Sequence, residues 1–188
     1  EYWNVLAEQF VNGKLYIPDP SKPGLAHDLT LYQGKWYVPN PPIPAVILMP
    51  LMLFVKAQDI HMGDVSMFFS ALNVLFVFLI LEQFIKRQWI KISQGTALWL
   101  VVLFGFGTNH LWVGINGGMW FVSQILTVTF LAFSILASLK SWSPLFVGLG
   151  LGLAIGARPN SLMTWPFVFA IAMQIMKEKG IRVDFKQM

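Results

Sequence analysis

The chain contains no cysteine, which excludes a disulfide framework, a thiol nucleophile and a cysteine metal centre. It is also poor in charge. Only 12% of its 188 residues are Asp, Glu, Lys or Arg, against roughly 25% in an ordinary soluble domain. It carries no phosphate-binding glycine loop, no HExxH pair, no GxSxG elbow and no Ser, His and Asp at a supporting spacing. The usual signatures of nucleotide-binding enzymes, zinc proteases and serine hydrolases are therefore missing. The chain opens on Glu1 without an initiating Met or an apolar leader, so the expectation is a piece of a longer protein.

What is present is grease. Hydrophobic residues make up 56% and aromatics 15%, with Phe 16, Trp 8 and Met 9, gathered in long runs separated by short polar breaks. That pattern is one of several membrane spans rather than one soluble core. The net charge of +4 is modest and its lysines fall in the breaks, which reads as an orientation signal and excludes nucleic-acid binding.

Five runs approach the ~20 residues a helix needs to cross ~30 Å of hydrocarbon: residues 64–85, 95–113, 118–139, 144–157 and 161–176. Lys86, Arg87, Lys91, Lys140, Lys177, Lys179, Arg182 and Lys186 put eight of the thirteen basic residues on one side, which the positive-inside rule makes cytoplasmic. The run at residues 43–55 has thirteen residues with Pro42, Pro44 and Pro50 in or beside it; such a run is more often interfacial or re-entrant. If it does not span, residues 1–41 lie outside; if it spans, they lie inside, and Lys14, Lys22 and Lys35 mildly favour inside. Before it, residues 2–11 read as an amphipathic helix in the membrane interface, with Tyr2, Val5, Leu6, Gln9 and Phe10 along one side and Asn4, Glu8 and Asn12 beside them. The string LTLYQGKWYV predicts a hairpin turning at Gln33-Gly34. The predicted fold is thus an all-α polytopic membrane protein with about five spans, an external amphipathic helix, a small hairpin and a short dipping helix. Residues 1–63 form the external loop and 64–188 the bundle.

Few polar residues are candidates for chemistry. Under the non-spanning reading His27, Asp28, Asp59, His61, Asp64, His110 and Arg158 all face outward. Arg158 stands out, because it ends an apolar, glycine-rich run where a cation is costly unless it finds an anion or water. The plain alternative is a side chain that snorkels to the interface. In His27-Asp28 the acid can orient the histidine or act as a base, although a solvated loop pair is the default. Asp59, His61 and Asp64 have a spacing that a divalent metal can use, but such loop residues are usually only solvated. Gly148, Gly150, Gly152 and Gly156 permit close helix packing, and Glu82 reaches the cytoplasmic interface.

The strings YWNVLAEQFVNGKLYIP, HDLTLYQGKWYVPNPPIPAVILMP, FGTNH and AIGARPNSLMTWP together resemble the bacterial branch of the polytopic C-type glycosyltransferases, relatives of protein O-mannosyltransferases and of lipid A aminoarabinose transferase. The resemblance covers nearly the whole chain and implies an N-terminal portion lacking its first span. It implies transfer of a sugar from a polyprenyl-phosphate carrier on the outer side of a bacterial inner membrane. The family's catalytic acid then falls just before Glu1, with Glu1 a second member of that acidic neighbourhood; Asp28 is the other candidate acid. The family's next acidic position, in the loop at residues 107–117, is met here by Asn109, His110 and Asn116, so no second carboxylate stands there to share a metal. Arg158 matches the family's basic residue beside the carrier phosphate, with His110, Asn109 and His27 as further substrate-binding candidates. Residues 41–55 become a membrane-dipping element. Two rivals remain open, a transporter or channel fragment and a non-catalytic membrane subunit; the first needs polar groups or broken helices near the midplane.

The absence of native cysteine gives a clean test of orientation. A Cys at Asp28 reacts with an impermeant thiol reagent in intact cells while a Cys at Gln88 stays protected; the opposite pattern inverts the topology.

Overall fold

A computed structural model describes residues 2–18 and 28–180. It is mostly helical: α1 (Tyr2–Val11), α2 (Ile43–Leu48), α3 (Met62–Lys86), α4 (Gln94–Phe106), α5 (Asn109–Asn116), α6 (Met119–Leu139), α7 (Pro144–Ala157) and α8 (Trp165–Glu178), with short 3-10 segments Met49–Leu53, Ala57–Asp59 and Pro159–Thr164. The predicted hairpin is present as β1 (Thr30–Tyr32) antiparallel to β2 (Lys35–Tyr37), with Leu31 opposite Trp36. Its turn residues Gln33 and Gly34 both have positive φ, 49° and 73°, the backbone a two-residue turn needs to match strand twist.

Among the described residues two helices, α3 and α6, are long and apolar enough to cross a membrane, or three if the bent pair α4 and α5 counts as one, where the sequence suggested about five. The long run predicted at residues 95–113 is therefore not one straight helix. Its two parts meet at 45°, because Thr108 starts a new helix. Thr108 Oγ1 accepts from the His110 N–H at 3.1 Å and donates to the Phe104 carbonyl at 2.8 Å, which caps the second helix. Residues 144–157, read as a span, form a helix of only 14 residues, while the last run begins as a 3-10 turn before α8.

α6 is the central helix. Of its most apolar window 67% is buried, against 11% for α3, and α3, α5, α7 and α8 pack around it. The outward surfaces of α3, α4, α7 and α8 leave Phe68, Trp99, Phe106, Leu145 and Phe167 exposed, the arrangement of a bundle whose solvent on that side is itself apolar.

α1 departs from the interfacial reading. It buries Tyr2, Trp3, Asn4, Leu6 and Ala7 in a core shared with Leu48, Met62, Met119, Val122 and Leu126, so it is docked on the bundle end rather than lying free. Asn4, expected on the polar side, is 5% exposed. Burial is tolerable because its Nδ2 donates to the carbonyls of Ala57 at 2.8 Å and Ile60 at 3.3 Å while its Oδ1 accepts from the Val5 N–H.

The glycines divide. A Cβ at Gly150 would lie 2.9 Å from the Phe130 carbonyl, and one at Gly156 2.6 Å from Ile43, so both permit close approach; Gly148 and Gly152 face open space and do no packing among the described residues. Gly117 ends α5 at φ 64°, and a Cβ there would sit 2.4 Å from the Gly63 nitrogen.

Where α3, α6 and α8 end, Arg87 donates to the Leu139 carbonyl and to Glu178 Oε2, the latter at 2.6 Å, and Trp89 Nε1 donates to Glu178 Oε1 at 2.7 Å. The clasp ties α3, α6 and α8. Glu82 pairs with Lys86 one turn on at 2.8 Å.

A Cβ at Gly114 would meet Ser70 Oγ at 2.3 Å, so Gly114→Ala should cost ~1–3 kcal/mol of stability, read as a lower melting temperature in detergent. Combined with Ser70→Gly the loss should fall short of the sum of the single losses by ~1 kcal/mol; strict additivity would show that the two helices do not meet there. For the clasp, the Trp89 indole, Gln174 and Arg87 hold the Glu178 carboxyl below its ordinary 4.5. A depressed pKa means that the ionised form adds stability above pH 4.5, lost as pH falls through the lower folded value. Wild type should therefore melt above Glu178→Gln at neutral pH, and the gap should close in acid.

Candidate functional site

The end of the bundle opposite the clasp carries Arg158. There α7 stops at Arg158, whose N–H donates to the Ala154 carbonyl at 2.9 Å and whose φ of −148° is extended backbone. Pro159 follows and cannot continue the helical hydrogen bonding. The Arg158 carbonyl is in turn taken by Ser161, through its N–H at 3.0 Å and its hydroxyl at 2.8 Å. The backbone on both sides of Arg158 is thus fixed while its side chain stays half-buried, with no hydrogen bond or ion pair among the described residues.

That side chain lines a cavity of about 230 Å³ with Asn40, Pro41, Trp120, Ser123 and Asn160. Asn40 is positioned by its Nδ2, 3.5 Å from Met119 Sδ, and Ser123 by its hydroxyl, which donates to the Met119 carbonyl at 3.1 Å. The site therefore presents one guanidinium, two amides and an aromatic wall. Its chemistry is that of an anion with a polar substituent, since a guanidinium offers five donors and no acceptor.

The other predicted residues distribute differently. His110 lies half-buried on α5, its ring stacked on Phe104 at 4.5 Å and its Nε2 3.2 Å from the Ser70 carbonyl. It lines a separate, mostly apolar cavity of about 370 Å³ between α3, α4 and α5, so His110 and Arg158 do not share a pocket. Asn109 is exposed beside it. Asp28 is half-buried just before β1, with no ion-pair partner among the described residues. Glu1 and His27 lie outside the described residues. Asp59, His61 and Asp64 do not converge, and among the described residues no three His, Asp or Glu side chains form a group able to hold a metal.

Asn40 and Trp120 escaped the sequence reading. Asn40 sits in the run Pro39-Asn40-Pro41-Pro42, where a polar residue among prolines reads as loop, and Trp120 lies at the start of an apolar helix, where it reads as an interface anchor. Only the fold brings both to Arg158. Compared with family models, curated proteins and solved structures, the chain matches none.

Proposed function

We propose that the chain serves in a polytopic membrane glycosyltransferase, which moves a sugar from a polyprenyl-phosphate carrier to a hydroxyl of a lipid, glycan or protein on the outer face of a bacterial inner membrane. The observation that carries this reading is Arg158, a half-buried cation without a partner among the described residues, facing a small polar cavity at the end of an apolar helix. A carrier phosphate, delivered laterally from the bilayer, is the anion such a place suits.

The chemistry follows from charge. A carboxylate, for which Glu1 and Asp28 are this chain's candidates, acts as base and takes the proton of the acceptor hydroxyl, whose oxygen attacks the anomeric carbon. The bond from that carbon to the phosphate oxygen breaks, and its electron pair leaves with the carrier phosphate. Negative charge grows on that oxygen in the transition state, and a guanidinium held at the departing group lowers the barrier. Asn40 and Asn160 supply neutral donors and acceptors to the phosphate or the first sugar.

The interior polar groups speak for this reading over a transport path. The hydroxyls of Ser123, Thr127, Thr129 and Ser138 each donate to the carbonyl four residues back, and Asn73 donates to the Ile125 carbonyl at 3.2 Å. The four hydroxyl bonds close within α6 and the Asn73 bond ties α3 to it, so these donors are spent inside the bundle.

In membranes supplied with a radiolabelled polyprenyl-phosphate sugar, Arg158→Ala should reduce consumption of the carrier ~100-fold, the usual effect of removing one group that stabilises developing charge. Arg158→Lys should keep part of it. Unchanged turnover in the Ala variant would remove Arg158 from this role, and no consumption by wild type would sink the reading itself.

A further inference from the structure

A second cavity, about 470 Å³, lies between α1 and the segment that leads into α3, lined by Asn4, Val5, Glu8, Lys56, Ala57, Gln58, Ile60 and His61. Its walls are fixed. Asn4 holds the segment through the Ala57 and Ile60 carbonyls, and α1 is held in turn by the Trp3 indole, which donates to the Met119 carbonyl at 3.0 Å.

The polar groups around this cavity are not spent on one another. Among the described residues Glu8, Lys56, Gln58 and His61 make no side-chain hydrogen bond or ion pair. A half-buried carboxylate and a lysine share one cleft without closing it. A guest that carries a donor cation at one end and an anion at the other would satisfy both, through charge-assisted hydrogen bonds.

What stands next to the cleft identifies the guest further. The residues just before Lys56 form an apolar ledge: Leu51 is 44% exposed, Leu53 69%, Phe54 85% and Val55 40%, and the 3-10 segment Met49–Leu53 buries none of its residues. A contiguous exposed patch of this kind marks contact with a membrane or a partner. The chain thus passes from bare hydrocarbon at Phe54 to a mixed-charge cleft at Lys56 within two residues, the transition a phospholipid makes between its tails and its headgroup.

We propose that this cleft binds the headgroup of a phospholipid bearing a primary ammonium, such as phosphatidylethanolamine. The ammonium donates to Glu8, the phosphate accepts from Lys56 and His61, and the acyl chains lie along Leu51, Leu53, Phe54 and Val55. A purely anionic headgroup leaves Glu8 facing negative charge. A choline headgroup has no N–H to give it. The site does not involve Arg158 and does not rest on glycosyl transfer.

The test uses the protein extracted from its membrane, reconstituted in nanodiscs of equal phosphatidylethanolamine, phosphatidylcholine and phosphatidylglycerol, and released for native mass spectrometry. Phosphatidylethanolamine should be the retained lipid. Glu8→Gln should reduce its retention ~10-fold, the loss of one hydrogen bond to a charged group, at an unchanged melting temperature, and Glu178→Gln at the far end should leave it unaltered. Phe54→Ser, at a position with nothing packed around it to disturb, should also weaken retention. Equal retention of the three lipids by wild type, a preference for phosphatidylglycerol, or full retention in both Glu8→Gln and Phe54→Ser would overturn the proposal.

Discussion

The two ends of α6 each offer a backbone carbonyl to a side chain from a distant part of the chain, and those two bonds fix how α1 and α3 meet it. At one end the Met119 carbonyl accepts from the Trp3 indole; at the other the Leu139 carbonyl accepts from Arg87. A helix leaves its last carbonyls without partners inside itself, and in apolar surroundings each must be met from elsewhere. Met119, though at the first turn, serves as a shared acceptor for both Trp3 and its own Ser123. By these contacts α1 is docked at one end and α3 with α8 at the other. Apolar packing around the middle of α6 is plentiful but has no direction; register comes from the polar bonds at its ends and from two along its length, Asn73 to the Ile125 carbonyl and Ser134 to the Val147 carbonyl of α7.

This division explains what could be read without coordinates. Apolar run length shows where α3, α6 and α7 lie, because each is bounded by turn residues and charge. The hairpin was legible because Gln33-Gly34 sits between alternating runs, a signal contained within ten residues. What escaped depends on partners far away in sequence. Asn4 looks like a surface residue until the Ala57 and Ile60 carbonyls are placed beside it. Arg87 looks like a loop cation until Glu178 and Leu139 arrive. Gly148 and Gly152 have the same spacing signature as Gly150 and Gly156, yet only the latter two face a neighbour.

The candidate site repeats the pattern. Arg158 was visible from its own neighbourhood, an isolated cation after an apolar helix and before a proline. Its companions were not, since Asn40 and Trp120 come from a proline-rich loop and from the first turn of another helix. His110 was visible for its chemistry but misleading about its place, because the bend between α4 and α5 turns its ring against Phe104 and the Ser70 carbonyl, away from the Arg158 cavity.

That bend has a consequence for the lipid around the protein. α4 has 13 residues, a rise of ~20 Å at 1.5 Å per residue, about two-thirds of a ~30 Å hydrocarbon layer. Asn109, exposed, follows at that height, and a bare amide is costly among acyl chains. Were α4 upright in a bilayer, the layer would have to dip along this flank to meet it, drawing headgroups and water inward. The protein would thus sit in an uneven collar of lipid, thinnest beside α5, where small polar molecules have the shortest way in.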